Sequence, residues 1–213
     1  MLVINFKNYK TGNRGLRLAK AIEQYLPKAI ICSSTLDIEL ITQKTKLQVF
    51  SQHVDPQEGE KTTGYNTLKA IKESGAKGTL INHSEHPLSI LNIHKILIMS
   101  KKLNLKPIVC TQTLGNMKRI LKIRKVKPYA IAFEDSKLIS TGKSITKYNN
   151  KTIINFIKIM KKTKIIPLCG AGITTAKDVK EAYDLGCKGV LIASAIANAK
   201  NPSLLLKQLK KFQ

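Results

Sequence analysis

The sequence has no tryptophan, only four arginines and only 13 acidic residues against 37 lysines and arginines. Each shortage excludes something. The lysines number 33, so the chain is poor in the planar guanidinium forks and stacking aromatics that dedicated base-reading surfaces use. Its formal charge of +24 therefore reads as a solvated, Lys-biased surface on a chain also rich in Ile and Asn. Such a field draws small anions toward a cleft and implies no specific nucleic-acid partner. No stretch approaches 18 uncharged apolar residues, and the chain opens on the strand-like run Leu2-Val3-Ile4-Asn5-Phe6. Both facts speak against a membrane span or secretory leader and for a cytoplasmic protein. The four cysteines (Cys32, Cys110, Cys169, Cys187) form no Cys-x-x-Cys pair and no zinc-type spacing with His53, His83, His86 or His94. They read as small buried hydrophobes, and no metal site is expected.

What is present is a repeated alternation. Short β-branched runs recur at Leu2–Phe6, Ala29–Ser33, Leu47–Ser51, Gly78–Asn82, Pro107–Cys110, Tyr129–Phe133, Ile165–Cys169 and Gly189–Ala193. Helix-like stretches lie between them. The spacing predicts a helix over Thr174–Leu185, with Ala176, Val179 and Ala182 on one face, Thr175-x-x-Asp178 as a capping box and Gly186 as its stop. Another is predicted over Asn150–Lys162, with Ile153, Ile157 and Met160 together. Strand–helix units imply a parallel sheet with right-handed crossovers, and eight of them suit one closed (β/α)8 barrel over residues 1–213. Periodicity alone also admits an open doubly wound sheet.

In such a barrel reactive groups belong on the connections at the carboxyl ends of the strands. The polar residues just past the apolar runs are Asn5 and Lys7, then His83-Ser84-Glu85 ahead of a helix start, then Glu134, then Gly170-Ala171-Gly172, then Ala193-Ser194-Ala195. Singly, most have ordinary structural explanations. Glu134 is the least ordinary, because burying a carboxylate at a strand end costs several kcal/mol unless it has partners or a task. The segment 135–143 is longer than usual for a strand-to-helix connection and reads as a lid. Together the residues describe a site. Small residues after strands 7 and 8 let main-chain N–H groups approach a phosphate, while a carboxylate, an imidazole and an ammonium suit proton abstraction beside a carbonyl.

The strings Ile4-Asn5-Phe6-Lys7, Ser51-Gln52-His53-Val54-Asp55, Ile81-Asn82-His83-Ser84-Glu85-His86, Leu168-Cys169-Gly170-Ala171-Gly172-Ile173 and Gly189-Val190-Leu191-Ile192-Ala193-Ser194 resemble the triosephosphate isomerase family in its short archaeal type. The resemblance runs in order along the whole chain. It implies a compact TIM barrel that interconverts dihydroxyacetone phosphate and glyceraldehyde 3-phosphate through an enediolate, with no cofactor. By resemblance Glu134 is the base, His83 the neutral electrophile, and Lys7 the ammonium that neutralises substrate charge. Asn5 contacts substrate beside it, Glu85 is a carboxylate behind Lys7, and Ile139, Ser140, Gly172, Ala193 and Ser194 hold the phosphate. Thr63-Gly64 resembles a loop tip that enters a neighbouring subunit, implying a homodimer or homotetramer. The sequence departs from the family at the lid, where Asp135 replaces the usual Pro and Ser140 the usual Gly. Losing Pro adds freedom to the open loop, which predicts that closure limits turnover. Asp135, if it faces Glu134, would raise the pKa of that base by like-charge repulsion. Two other readings stay open at this point: a different phosphate-binding barrel isomerase or synthase, and a basic nucleic-acid-binding module.

Overall fold

A computed structural model describes residues 1–135, 138 and 144–213. Eight parallel strands follow one another in chain order and close into a barrel, with β8 pairing back onto β1. They are β1 Leu2–Asn5, β2 Ile30–Ser33, β3 Gln48–Ser51, β4 Gly78–Ile81, β5 Lys106–Thr111, β6 Ala130–Glu134, β7 Ile166–Gly170 and β8 Gly189–Ile192. The connecting helices are α1 Gly12–Tyr25, α2 Ile38–Lys44, α3 Leu68–Glu73, α4 Ile90–Lys102, α5 Leu114–Leu121, α6 Ile145–Tyr148, α7 Asn150–Met160, α8 Ala176–Asp184, α9 Ser194–Ala197 and α10 Ser203–Leu209. The barrel, not the open sheet, is the architecture. The α8 capping box forms as the sequence predicts: the Thr175 hydroxyl accepts from the Asp178 amide, and the Asp178 carboxylate accepts from the Thr175 amide.

The strands read as unbroken apolar runs because both faces are covered. Alternate residues turn to opposite sides, giving two cores. Val3, Ile30, Cys32, Phe50, Leu80, Ile108, Cys110, Ala130, Ala132, Leu168 and Leu191 fill the barrel interior. The alternating partners, such as Leu2, Ile4, Ile31, Val49 and Phe133, pack outward under the helices. The interior is narrow. A Cβ on Gly78 would stand 2.5 Å from the Phe50 ring and 2.1 Å from the Lys106 carbonyl oxygen, so only glycine fits opposite that phenyl group.

Parity carries straight into function. Counting by twos from the interior residues reaches Asn5 from Val3, Asn82 from Leu80, Glu134 from Ala132, Gly170 from Leu168 and Ala193 from Leu191. These positions crown the interior at the carboxyl end of the barrel. β6 runs one residue further than the apolar pattern indicates, so Glu134 is the last residue of the strand, paired in register with Gly170. It is not a loop residue.

Candidate active site

Above that crown lies a recess enclosing about 510 Å³ of space open to solvent. Asn5, Lys7, His83, Glu134, Gly172, Ala193 and Ser194 all border it. The structure thus collects, around one opening, residues drawn from five of the eight strand ends. Ile139 and Ser140 lie outside the described residues, as does most of the lid. Glu85 borders the adjoining hollow and reaches the recess through Lys7.

Lys7 is held in a strained conformation, with φ at 44°, in the left-handed region that costs a non-glycine residue about 1 kcal/mol or more. Three contacts fix it. Its amide donates to Asn5 Oδ1 at 2.9 Å, its carbonyl accepts from Gln52 Nε2 at 2.9 Å, and its ammonium meets Glu85 Oε1 at 2.5 Å. Asn5 and Gln52 therefore aim a side chain that is otherwise among the most flexible in proteins.

His83 sits on a single turn and not at a helix start. Its carbonyl accepts from the His86 amide at 2.9 Å, and α4 begins only at Ile90. Pro87 explains the delay, since the residue before a proline is steered away from helical angles. What sets the imidazole is a local bond: Nδ1 accepts from the Glu85 amide at 3.2 Å, while the Glu85 carboxylate stays 3.7 Å away. That contact makes Nδ1 the acceptor and leaves Nε2 turned toward the recess, with a backbone amide standing where a helix dipole was expected. Asn82, buried and left-handed (φ 57°), anchors this turn; Nδ2 donates to the Cys110 carbonyl and Oδ1 accepts from the Leu88 amide, both at 2.8 Å.

Glu134 is 5 % exposed, and its Oε2 has no hydrogen-bond partner among the described residues. That oxygen lies 3.6 Å from His83 Nε2, too far for a hydrogen bond. Burial pushes the Glu134 pKa above its ordinary value; His83, the Cys110 thiol and Lys7 pull it back, and Glu85 adds to the rise. A buried, underpartnered carboxylate facing a recess is what a base needs before substrate arrives. Asp135 is engaged elsewhere: its Oδ2 accepts from Asn149 Nδ2 at 2.9 Å, drawing it toward the α6–α7 junction. The condition under which Asp135 would raise the Glu134 pKa, a carboxylate facing a carboxylate, gives way to a contact with a neutral amide.

All four cysteines are buried free thiols, as expected of small hydrophobes. Yet Cys110 does more than fill space, since its thiol lies near enough to the Glu134 carboxylate to hold that group's pKa down against burial. Sequence reasoning missed this role. The available signal was parity, because Cys110 follows Ile108 on the interior face of β5 and stands beside β6 in register with Ala132. On the far side of the recess Ala171 (φ 70°) and Gly172 (φ 68°) are two consecutive left-handed residues, and α9 starts at Ser194 directly after β8. Small side chains there leave main-chain amides approachable by an anion.

Comparison with known proteins agrees with this geometry. The model of the family described as triosephosphate isomerase matches residues 1–210. The chain is 36 % identical over 220 residues to the triosephosphate isomerase of Methanocaldococcus jannaschii, covering 100 % of this chain and 99 % of that protein. It is 35 % identical to that of Saccharolobus solfataricus, covering 97 % and 93 %. Among solved structures, the triosephosphate isomerase of Bartonella henselae superposes with a TM-score of 0.71 at 19 % identity, over 100 % of this chain and 98 % of that one, which speaks to the fold.

Proposed function

The chain belongs to the triosephosphate isomerase family, and we propose that its recess carries the aldose–ketose isomerisation of a triose phosphate with Glu134 as base, His83 as electrophile and Lys7 as counter-charge. The observation that supports this most is the pairing of an unpartnered Glu134 oxygen with an imidazole Nε2–H 3.6 Å away at one opening. Glu134 takes the proton from the carbon beside the carbonyl of dihydroxyacetone phosphate, and electrons move onto the carbonyl oxygen to give an enediolate. The His83 N–H and the Lys7 ammonium stabilise that oxygen. The hydroxyl proton on the first carbon's oxygen passes by way of His83 Nε2 to the oxygen on the second carbon, and the proton held on Glu134 returns to that second carbon, giving glyceraldehyde 3-phosphate. The substrate phosphate rests against Gly172, Ala193 and Ser194, which fixes the three-carbon chain and supplies several kcal/mol of positioning.

The same reading assigns Asn5 a substrate contact, Glu85 the placement of Lys7, Ile139 and Ser140 the closing phosphate contacts, and residues 1–213 to one barrel domain. It also carries self-association, as a homodimer or homotetramer, through the loop that presents Gly64 and the half-exposed Tyr65. No helix among the described residues is long and apolar enough to cross a membrane, and a cytoplasmic site of action accords with a triose phosphate substrate. The rival readings of another phosphate-binding barrel or a nucleic-acid module in place of an isomerase are not favoured, since the matching relatives carry one name. The test is Glu134→Gln. Turnover should fall by about 10³-fold or more while a phosphate-bearing substrate analogue binds within about threefold of the wild-type affinity. Near-normal turnover in that variant would refute the assignment.

A further inference from the structure

We propose that the amino-terminal rim of the barrel, at the end opposite the recess, is a surface that binds the phosphate backbone of nucleic acid without reading its sequence. Along the chain the lysines look scattered. The fold gathers them. Every helix-to-strand connection returns to this rim, and an exposed Lys stands at or just before each strand from β2 onward. Lys28, Lys46 and Lys77 precede β2, β3 and β4, and Lys106 opens β5. Lys127, Lys164 and Lys188 precede β6, β7 and β8, so the ring follows the barrel round. Ahead of β1, the Met1 ammonium donates to the Lys188 carbonyl at 2.8 Å.

The connections 26–29, 45–47, 74–77, 103–105, 122–129, 161–165 and 185–188 contain 11 basic residues and no acidic one. In the strand-to-helix connections and strand ends of the other end lie six of the 13 acids, Asp37, Asp55, Glu60, Glu85, Glu134 and Asp135, while Glu58 reaches back to pair with Lys102 at 3.2 Å. The molecule is electrically polarised along the barrel axis.

The ordinary explanation is that lysines compensate the negative ends of the helices, whose carboxyl termini point to this rim. Magnitudes decide against it as a full account. Seven helix ends at about half a charge each amount to roughly −3.5. Glu23, Glu73 and Asp184 add three more negative charges near those ends, and Asp184 is already paired with Lys180. That falls well short of the connections' 11 cations, before Lys44 and Lys101 on the last turns of α2 and α4 are added; Lys102 beside them is paired with Glu58. Lys127 does cap a helix end, with its ammonium 2.6 Å from the Leu121 and Ile123 carbonyls. No ion pair holds Lys28, Lys46, Lys77, Lys164 or Lys188 among the described residues.

The surplus fits a polyphosphate better than a membrane. Membrane-surface proteins couple basic charge to inserted apolar side chains. The exposed large hydrophobics Leu36, Tyr65, Leu91, Tyr148, Ile154 and Leu204 lie in strand-to-helix connections or on helices, and none is in a rim connection. Point-like ammonium groups neutralise phosphates without recognising base edges, so the binding is salt-dependent and indifferent to sequence.

The test titrates the full chain against a fluorescent oligouridylate of about 20 nucleotides by anisotropy, between roughly 50 and 300 mM KCl. Log affinity should fall linearly with log salt. The variant K46Q/K77Q/K164Q/K188Q should bind at least about tenfold more weakly near 0.1 M salt, with a slope flatter by about 2 to 3. K20Q/K69Q/K95Q/K151Q removes the same charge from exposed positions within helices and should change affinity less than about threefold. Both variants should keep wild-type isomerase kcat/KM, which reports that they are folded. Equal losses in the two variants, no binding at the lowest salt, or tighter rim-dependent binding to phosphatidylserine vesicles than to RNA would each overturn the proposal.

Discussion

The Oε1 atom of Glu134 lies 2.8 Å from the point where a Cβ on residue 170 would stand, and Gly170 has none. The two residues are register partners at the ends of β6 and β7. The carboxylate thus rests against a strand whose side chain has been removed to admit it. A methyl group there meets an acid that is boxed in by Cys110 and the barrel wall, and the acid must move.

Gly170→Ala should accordingly lower kcat by about 100-fold, the cost of an ångström-scale misplacement of a reacting group, while KM changes by less than about threefold. Steady-state kinetics checks this. A parallel rise in KM with kcat preserved would show that Gly170 serves the phosphate side and not the carboxylate.

Glu134→Gln should stabilise the protein. Burial raises the folded pKa above the ordinary 4.5, so the folded state holds its proton more tightly than the unfolded chain does. Stability therefore falls as pH rises from about 4.5 through the folded pKa, and the ionised acid is a liability at neutral pH. Removing the charge should raise Tm by about 2–4 °C at pH 7, the shift of a change near 1 kcal/mol in a chain of this size. At pH 4 the gain should vanish.

The acid limb of the kcat/KM profile should sit above the ordinary carboxylate value of 4.5, activity being lost as pH falls and Glu134 protonates. Two variants should move the limb in opposite directions. Cys110→Ala removes the thiol that holds the carboxylate's pKa down and shifts the limb to higher pH. Glu85→Gln deletes a repulsive charge, also leaving the Lys7 ammonium uncompensated, and shifts it to lower pH.

Asn82→Ala should destabilise by about 3 kcal/mol, leaving the Cys110 carbonyl and the Leu88 amide without partners and placing Ala at a positive φ. Asn82→Gly loses the same bonds but not the backbone tolerance, and should recover about 1 kcal/mol of that. Urea midpoints order the three proteins. An alanine variant as stable as the glycine variant would show that the left-handed angle is not enforced.

The strands were legible because each is covered on both faces and so leaves an uninterrupted apolar run. The α8 capping box was legible because Thr175 and Asp178 carry out their exchange within one turn. His83 was legible as a site residue but its support was not: Pro87 breaks the expected helix, and the bond from the Glu85 amide depends on a turn that no periodicity announces. Which way Asp135 turns was not legible, because its partner, Asn149, lies 14 positions further along the chain. Cys110 looked like filler because a thiol's role depends on what is packed beside it.

By itself the sequence determined the alternation of strand and helix, the family, the inventory of reactive groups and the excess of positive charge. These follow from local spacing and from composition, which survive any arrangement in space. Only the closed barrel decided which residues meet. Positions 7, 83 and 134 lie far apart on the chain and converge because eight strands begin at one rim and end at another, with alternate side chains turned inward. That closure gives Glu134 an imidazole above it and a glycine beside it, and sends the lysines of successive connections to the opposite end.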